Sequence, residues 1–453
     1  MSGDGLLPGA LVEATIEKGV FRGRGLARLE GRVVFVPRAH PGDRVRARIT
    51  EVHAGWAEGA LVEVLQPSPD RRTSPCPYVP RCGGCAYQDY GSEAELRLKQ
   101  AVLRESLARA GAAWEGPVSV HASPEAGWRM RASLHFARGD DGLRLGLRQE
   151  GTRRVVDIEA CLQLSDTMNR AARAFQGALA ARPALAARLY GLELVESPDG
   201  NTLVATLETS LGRHETAPLA AIAAAVPGLA GFGVRTRTRS LEWLSGVPFV
   251  EASVLGLTLR AHAASFFQAN RFLLEPLART VVELVPAGDS RILDLYAGVG
   301  FFALPLAARD GCETVAVEQS GLAAEDARVS ARRAGLGLLS VRVAEVEQAL
   351  SELPPRAGER IVLDPPRTGA GRRVVEALAA RRPEAIVYVS CDPPTLGRDL
   401  ALFAAHGYRP DVVHLFDQFP KTFHMETVVR LRQATSLERR PLHFAADFGH
   451  SGP

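Results

Sequence analysis

Five short apolar runs in the C-terminal half of the chain alternate with predicted helices, and each run ends at a polar residue. The residues at these ends are Asp294, Glu318, Glu345, Asp364 and Cys391. Strands that alternate with helices form a doubly wound parallel sheet, whose ligands bind beyond the carboxyl ends of the strands. We therefore predict a Rossmann-like domain over residues 263–435, with these five side chains along one rim of its sheet.

The first of these runs leads into a glycine turn within RILDLYAGVGFFALPLA (Arg291–Ala307). Gly298 and Gly300 would let the backbone approach a bound ligand closely. The next strand ends in Glu318, at a place where an acidic residue commonly bonds a ribose hydroxyl. Because a complete G-x-G-x-x-G is missing, these features predict an adenosine-bearing cofactor and not specifically a dinucleotide.

A later run, AIVYVSCDPPTL (Ala385–Leu396), predicts a buried strand that an Asp-Pro-Pro turn stops, because proline fixes φ and cannot donate to a β-ladder. Cys391 stands at the end of this strand, as a nucleophile would in an open α/β sheet. Free cysteines are also common as buried structural residues, and this segment alone favours neither interpretation. The sequence of the domain closes with a predicted hairpin that carries His424 and Glu426 between its strands.

Short alternating runs between Leu11 and Leu65 predict a small β-barrel of about five strands over residues 1–66. Nine basic and two acidic residues lie between Lys18 and Arg48, although the net charge of the chain is only +3. Small barrels often bind oligonucleotides on one face, so the basic strip favours RNA binding. A solvated charged surface is the alternative.

Three clustered cysteines follow a proline- and serine-rich linker in the pattern C-x5-C-x2-C. These are Cys76, Cys82 and Cys85, and a fourth thiol, Cys161, follows a predicted strand in the same α+β domain, residues 76–262. Four thiols can bind zinc or an iron–sulfur cluster. We expect the iron–sulfur cluster, because the spacing is not a usual zinc-finger spacing, and no disulfide, because the chain lacks an export signal.

No apolar run is long enough to cross a membrane, and the N-terminus lacks the basic region and apolar core of a secretory signal. The chain is therefore expected to be cytoplasmic. Residues 436–453 are expected to form a disordered tail. We expect a monomer, because one chain carries every predicted part.

Several motifs resemble the S-adenosylmethionine-dependent RNA uracil-5-methyltransferases. They are DLYAGVGFFALPLA, VLDPPRTG, VYVSCDPPTLGRDL and DQFPKTFHMETVV. The N-terminal barrel resembles a TRAM domain, a small OB-like barrel. With the C-x5-C-x2-C pattern and Cys161, it resembles the branch of the family that modifies large-subunit ribosomal RNA and binds a four-iron cluster. The resemblance implies S-adenosyl-L-methionine and a 4Fe-4S cluster as cofactors, and 23S ribosomal RNA as the substrate, with transfer RNA as the alternative.

The resemblance also implies roles for single residues. Cys391 would add to carbon 6 of uracil, and Glu426 would remove the proton from carbon 5 after methyl transfer. The implied cofactor contacts are Gln268, Tyr296, Glu318, Glu345 and Asp364, and the implied cluster ligands are Cys76, Cys82, Cys85 and Cys161. Two positions depart from the family pattern, since Phe301 replaces a frequent asparagine and Glu345 replaces a common asparagine or aspartate.

Two other functions stay open on the sequence alone. One is a non-catalytic RNA-binding or assembly factor on the same fold, against which the intact Cys391 and Glu426 argue. The other is a cytosine methyltransferase, which also uses cysteine addition, although the DPPRTG motif and the closing hairpin favour uracil. In the central domain, Arg129, Arg131 and His135 are candidates to contact the RNA backbone. A Cys391 sulfur sealed inside the protein would overturn the covalent mechanism.

Overall fold

The computed structural model describes residues 6–139, 142–212, 215–236, 238 and 241–434. The expected disordered tail lies outside these ranges. The described residues form three sheets, of six, seven and eight strands, and one separate two-stranded hairpin. Within these same ranges, no helix combines the length and the apolar character that a bilayer crossing requires.

The N-terminal sheet encloses a small apolar core of its own. Its strands are β1 (Leu11–Thr15), β2 (Lys18–Val20), β3 (Arg24–Leu29), β4 (Arg32–Pro37), β5 (Arg44–Val52) and β6 (Trp56–Gln66). They lie in the order β1-β5-β6-β4-β3-β2, which is one strand more than the five or so expected. The edge strands β1 and β2 do not pair among the described residues, so the sheet is a half-barrel and not the closed barrel predicted, and we keep the name N-terminal barrel for it. Along β5 the side chains of Val45 and Ala47 point into the core, while those of Arg44 and Arg48 are exposed. The period of two therefore explains the basic outer surface.

The helices of the central domain pack against its sheet around a second hydrophobic core. Its elements are β8 (Arg131–Gly139), β9 (Gly142–Arg148), β10 (Val155–Asp157), α2 (Asp166–Ala180), α3 (Pro183–Ala186), β11 (Leu189–Glu196), β12 (Leu203–Thr209), α4 (Ala217–Ala224), β13 (Leu229–Arg235) and β14 (Leu241–Gly246). The strand order is β10-β9-β8-β11-β12-β13-β14. Only the β12–β13 pair of this sheet is parallel, so the domain is α+β, as expected.

The C-terminal sheet contains the parallel strands that the alternating pattern predicts. Its elements are α5 (Leu274–Leu284), β17 (Ile292–Leu295), α6 (Ala303–Asp310), β18 (Thr314–Glu318), α7 (Gly321–Arg333), β19 (Leu339–Val343), α8 (Val346–Glu352), β20 (Arg360–Leu363), α9 (Gly371–Ala380), β21 (Ala385–Ser390), α10 (Pro393–Ala405), β22 (Tyr408–Phe416) and β23 (Glu426–Gln433). The parallel strands lie in the order β19-β18-β17-β20-β21. The order reverses between β17 and β20, and such a switch point leaves a crevice for a ligand.

Two segments that we assigned to the central domain pack instead with the C-terminal sheet. Strand β7 (Val118–His121) pairs with β22 at the edge of that sheet, and helix α1 (Ser92–Arg109) lies against α10. The hairpin of β15 (Phe249–Val254) and β16 (Leu257–His262) packs on α7, where Arg260 forms an ion pair of 2.7 Å with Asp326. The boundaries 76–262 and 263–435 stay predictions, and these contacts cross the boundary between them. Local periodicity predicts elements but not the sheet that each one joins.

Candidate active site

A cavity of about 900 Å³ opens at the switch point, and we call it the central cavity. It is bordered by residues that follow the carboxyl ends of β17, β18, β20 and β21, where parallel sheets commonly bind ligands. Every residue that the sequence assigned to catalysis or to the cofactor lines it. These residues are Gln268, Tyr296, Glu318, Glu345, Asp364, Cys391 and Glu426.

One side of the central cavity is formed by the first two strand ends. Glu318 accepts hydrogen bonds from the backbone N–H groups of Gly298, at 2.8 Å, and Ser320, at 2.7 Å, so its carboxylate is held in one orientation. Gln319, with its amide nitrogen turned toward Glu345, donates to both carboxylate oxygens at 2.8 and 3.0 Å. The sequence did not single out Gln319, because nothing in the local pattern marks it.

Phe301 does not face the central cavity. It is buried and makes edge contacts with the rings of Phe267 and Phe302, with centroid distances of 5.9 and 4.9 Å. The polar contact that an asparagine would offer at this position is therefore replaced by core packing. Gln268, next to Phe267, is itself buried and lies 3.5 Å from the amide nitrogen of Gln418.

Buried carboxyl groups also line the cavity, at Asp364 and Glu426. Burial raises the pKa of Asp364 to about 7. Burial, with a further contribution from Asp364, also holds the pKa of Glu426 well above its ordinary value, and Glu426 Oε1 has no hydrogen-bond partner among the described residues. Burial, with contributions from Asp364 and Glu318, likewise raises the pKa of Asp294 on the buried strand β17. Several buried carboxyl groups with raised pKa values favour a cationic ligand, which would stabilise their charged forms.

Cys391 is partly exposed, so its sulfur is not sealed inside the protein. It follows β21 directly, and the next residue, Asp392, caps α10 by accepting a hydrogen bond of 3.0 Å from the Thr395 N–H. Burial raises the pKa of the thiol to about 12, and Glu426 and Asp364 add to the shift. Arg367 lowers the pKa of this thiol. Arg367 belongs to the DPPRTG motif, whose resemblance to the family implied no role for the arginine.

A second cavity, of about 810 Å³, meets the other side of Cys391. It lies between the N-terminal barrel and the C-terminal domain, and we call it the arginine cleft. Arg367 and His424 line both this cleft and the central cavity. Burial, together with Arg367, lowers the pKa of His424 to about 4, so this imidazole is neutral at neutral pH.

The four predicted metal ligands line a third cavity, of about 40 Å³, which we call the cysteine cavity. They are Cys76, Cys82, Cys85 and Cys161. Their side chains do not adopt a metal-binding geometry, since the described residues contain no such group of three or more His, Cys, Asp or Glu. A backbone N–H of Gly84 points at the Cys82 sulfur at 3.4 Å, and Gln88 donates to the Cys85 sulfur at 3.5 Å.

The three candidates for RNA contact in the central domain have other surroundings. Arg129 lines the cysteine cavity and stacks over the Trp128 ring at 4.6 Å. Arg131 forms an ion pair with Glu193 and reaches the central cavity. Burial lowers the pKa of His135. These placements give Arg129 and Arg131 neighbours within the protein instead of a free basic surface.

Known families match both ends of the chain. The family described as tRNA (Uracil-5-)-methyltransferase matches residues 247–434, and the TRAM domain matches residues 6–62. The first match begins before β15, in agreement with the packing of the β15–β16 hairpin. The cysteine-bearing region lies between the two matched segments.

Full-length relatives extend the similarity over nearly the whole chain. The 23S rRNA (uracil(1939)-C(5))-methyltransferase RlmD of Pseudomonas putida is 34% identical over 434 residues, which cover 91% of this chain and 92% of the relative. RlmD of Chromohalobacter salexigens is 33% identical over 441 residues, which cover 94% of this chain and 91% of the relative.

A solved structure has the same architecture. The tRNA (uracil-54, C5)-methyltransferase of Pyrococcus abyssi, in complex with S-adenosyl-L-homocysteine, superposes with a TM-score of 0.73 and 25% identity, over 93% of this chain and 100% of that chain. The N-terminal TRAM domain and the C-terminal methyltransferase fold are thus confirmed, and so is an RNA substrate. The matches decide for uracil over cytosine and for an enzyme over a non-catalytic factor. The chain belongs to the S-adenosylmethionine-dependent RNA (uracil-5-)-methyltransferase family.

Proposed function

We propose that the protein methylates carbon 5 of a uridine in 23S ribosomal RNA through a covalent adduct with Cys391. One observation carries the proposal. A partly exposed thiol and the buried carboxyl group of Glu426 border the same cavity as the residues expected to hold the cofactor. The RlmD relatives, which match over nine-tenths of the chain, support ribosomal RNA as the substrate.

The mechanism follows from the weak reactivity of carbon 5 in uracil. The Cys391 thiolate forms a bond to carbon 6 and pushes the electrons of the ring double bond toward the carbonyl at carbon 4, which makes carbon 5 an enolate carbon. Carbon 5 then forms its new bond to the electrophilic methyl group that S-adenosyl-L-methionine would supply when bound, and the sulfur–methyl bond breaks, so that S-adenosyl-L-homocysteine would leave. Glu426 then accepts the proton from carbon 5, the double bond forms again, and Cys391 leaves as a thiolate.

The pKa shifts show what the reaction requires. In the ligand-free site burial raises the pKa values of both Glu426 and Cys391, which disfavours the carboxylate and the thiolate that the reaction uses. Arg367 opposes both shifts, and a cationic ligand in the central cavity would oppose them further. We infer that Cys391 and Glu426 reach their reactive ionisation states only when the site is filled.

We further propose that Cys76, Cys82, Cys85 and Cys161 hold a 4Fe-4S cluster. The supporting observation is Arg129, which lines the cysteine cavity and whose pKa burial lowers. Among the described residues no carboxylate lies within ion-pairing distance of it. Even a partly buried guanidinium is costly without a negative partner, and four metal-bound thiolates would supply that partner where four neutral thiols would not.

A deletion strain tests the substrate. We expect 5-methyluridine to disappear from one position of 23S ribosomal RNA and to return when the wild-type chain or the Cys312→Ser control is supplied. Cys312 is buried in the core of the C-terminal domain and is not among the residues that line the central cavity. Mass-spectrometric mapping of both ribosomal and transfer RNA makes the measurement. Loss from transfer RNA instead would favour the alternative substrate.

The Cys391→Ala variant tests the mechanism in the same strain and with purified protein. We expect a loss of methylation on the order of 10⁴-fold or more, as for other covalent nucleophiles, with cofactor binding unchanged. Binding of S-adenosyl-L-homocysteine measured by calorimetry reports on the cofactor site. Methylation that persists in this variant would exclude the covalent route.

A further inference from the structure

The arginine cleft joins the N-terminal barrel directly to the reactive thiol. Five arginines line it, namely Arg22, Arg24, Arg109, Arg367 and Arg398. Among its lining residues only Asp392 is acidic. Because the central cavity has the acidic walls and this cleft the basic ones, the two sides of Cys391 suit a cation and a polyanion respectively.

The arginines of the cleft differ in how far their charge is compensated. Arg24 pairs with Glu58 at 2.6 Å, and Arg398 pairs with Asp399 at 2.9 Å. Within the described part of the chain, Arg22 and Arg367 form no ion pair. One of these two guanidinium groups comes from the barrel and the other from the DPPRTG motif beside Cys391, so positive charge is available at both ends of the cleft.

Aromatic rings line the same cleft. The rings of Phe21 and Phe423 meet edge to face, with centroids 6.0 Å apart. The ring centroids of Phe423 and His424 lie 4.1 Å apart, and His424 borders both cavities. Phe21 belongs to the barrel, while Phe423 belongs to the loop between β22 and β23. A positively charged groove that also presents aromatic rings is typical of sites for single-stranded nucleic acid.

The turn that carries Phe21 is held in a defined position. Arg22 and Gly23 both have positive φ angles, of 70° and 72°, and such a conformation is uncommon for a residue other than glycine. A Cβ atom on Gly23 would lie 3.0 Å from the Ala86 Cβ and 3.4 Å from the Phe423 Cβ. A side chain at Gly23 would therefore press on Ala86, while Phe423 lies in ordinary contact with the turn.

We propose that the turn between β2 and β3 is part of the active site and binds the RNA strand next to the target nucleotide. Phe21 and Phe423 stack with a neighbouring base, and Arg22 and Arg367 bind the flanking phosphates. The RNA flanking the target is single-stranded here, because stacking on Phe21 and Phe423 requires an unpaired neighbouring base, and the target base itself must leave any base pair to reach Cys391. This inference rests on the proposed function only in that the target nucleotide reaches Cys391.

The aromatic part of the proposal is tested by binding of a fluorescent single-stranded oligouridine to the full chain without cofactor. We expect Phe21→Leu to weaken binding about tenfold, since it removes the stacking surface but keeps apolar packing, and Phe21→Trp to keep wild-type affinity. Unchanged affinity in Phe21→Leu, or equal loss in both variants, would overturn the stacking role.

The phosphate contact is tested by the dependence of affinity on salt. We expect Arg22→Ala to reduce the slope of log affinity against log salt by about 0.7, the value for one phosphate contact on a single strand. Arg32→Ala is the matched control, because Arg32 lies in the same barrel outside the cleft, and should leave affinity and slope unchanged. Equal effects of both variants would mean a general basic surface.

This design separates the inference from the proposed function. Oligouridine binding is measured without methyl transfer, so it reports on the cleft whichever RNA is the natural substrate. If the variants bind oligouridine as expected but the protein methylates transfer RNA, the RNA-binding role of the cleft is supported and the ribosomal substrate is excluded. The opposite result is 23S methylation with no effect of Phe21→Leu or Arg22→Ala on binding or turnover. It would overturn the RNA-binding role of the arginine cleft and leave the proposed function standing.

Discussion

At the scale of single residues, Glu426 is the group whose role can be isolated most clearly. It is buried, one of its oxygens lacks a hydrogen-bond partner among the residues that the structure describes, and it shares the central cavity with Cys391. Glu426→Gln should allow attack on carbon 6 and methyl transfer but not proton removal from carbon 5. We therefore expect a covalent complex with RNA, visible as a shifted band on a denaturing gel.

Two controls make this result specific. Glu376→Gln replaces a surface glutamate of α9 that pairs with Arg372, and it should turn over normally without a shifted band. The double variant Cys391→Ala with Glu426→Gln should form no adduct. A shifted band in the double variant would show that another residue forms the bond.

Asp364 makes a prediction about pH and stability. Burial raises its pKa to about 7, so the folded, ligand-free protein binds a proton that the unfolded chain releases near pH 4. Its contribution to the free energy of unfolding is therefore present below pH 4 and falls as pH rises toward 7, by on the order of 1 kcal/mol per pH unit.

Asp364→Asn removes this titration while keeping the shape of the side chain. Denaturant unfolding of both proteins between pH 5 and 8 measures the difference. We expect the variant to gain stability relative to the wild type as the pH rises. A constant difference across this range would contradict the raised pKa.

At the scale of elements, the predicted and unpredicted parts of the structure divide between local and non-local causes. The strand ends at Glu318, Asp364 and Cys391 follow from apolar runs and breakers within a few residues, and the parallel order then gathers them at one rim. The pairing of β7 with β22 and the contact of Phe21 with Phe423 join segments about 300 and 400 residues apart. No local pattern encodes such contacts.

The lysines illustrate the same division. The chain contains three, at Lys18, Lys99 and Lys421, and no local sequence pattern distinguishes a buried lysine from an exposed one. The structure buries two of them among acids. Lys99 contacts Glu95 at 2.8 Å and Asp417 at 2.5 Å, and Lys421 contacts Glu95 at 3.1 Å. This network fixes α1 to the loop that carries Phe423 and His424.

Replacing one buried lysine should therefore disturb the loop. We expect Lys99→Met to destabilise the protein by about 3–5 kcal/mol, because it leaves buried carboxylates without their counter-charge. Lys18→Met is the matched control, since Lys18 pairs with Glu105 at 2.8 Å near the surface and should lose about 1 kcal/mol at most. Denaturant unfolding of both variants measures the difference, and similar losses would show that the buried network contributes little.

At the scale of the whole molecule, the cysteine-bearing loop connects the units of the chain. The backbone of Cys82 forms an isolated β-bridge with Gln149 in the β9–β10 hairpin. The backbone N–H groups of Ala86 and Tyr87 donate hydrogen bonds to the Lys421 carbonyl at 2.9 and 3.0 Å. The Ala86 side chain also lies next to the barrel turn at Gly23. One loop thus contacts the central sheet, the barrel and the loop that reaches the active site, so we expect the cysteine site to stabilise all three.

The proposed cluster can be tested with cysteines of the same chain. We expect anaerobically purified protein to be brown, with iron, labile sulfide and absorbance near 400 nm, and Cys161→Ser to lose them. Cys312→Ser should keep them, because Cys312 packs in the C-terminal core beside Arg360. Since the loop braces several units, Cys161→Ser should also lower the thermal midpoint and weaken oligouridine binding. A colourless wild-type protein that contains zinc would show that the four cysteines form a zinc site and not a cluster. A metal-free wild-type protein, with a thermal midpoint that Cys161→Ser leaves unchanged, would refute both.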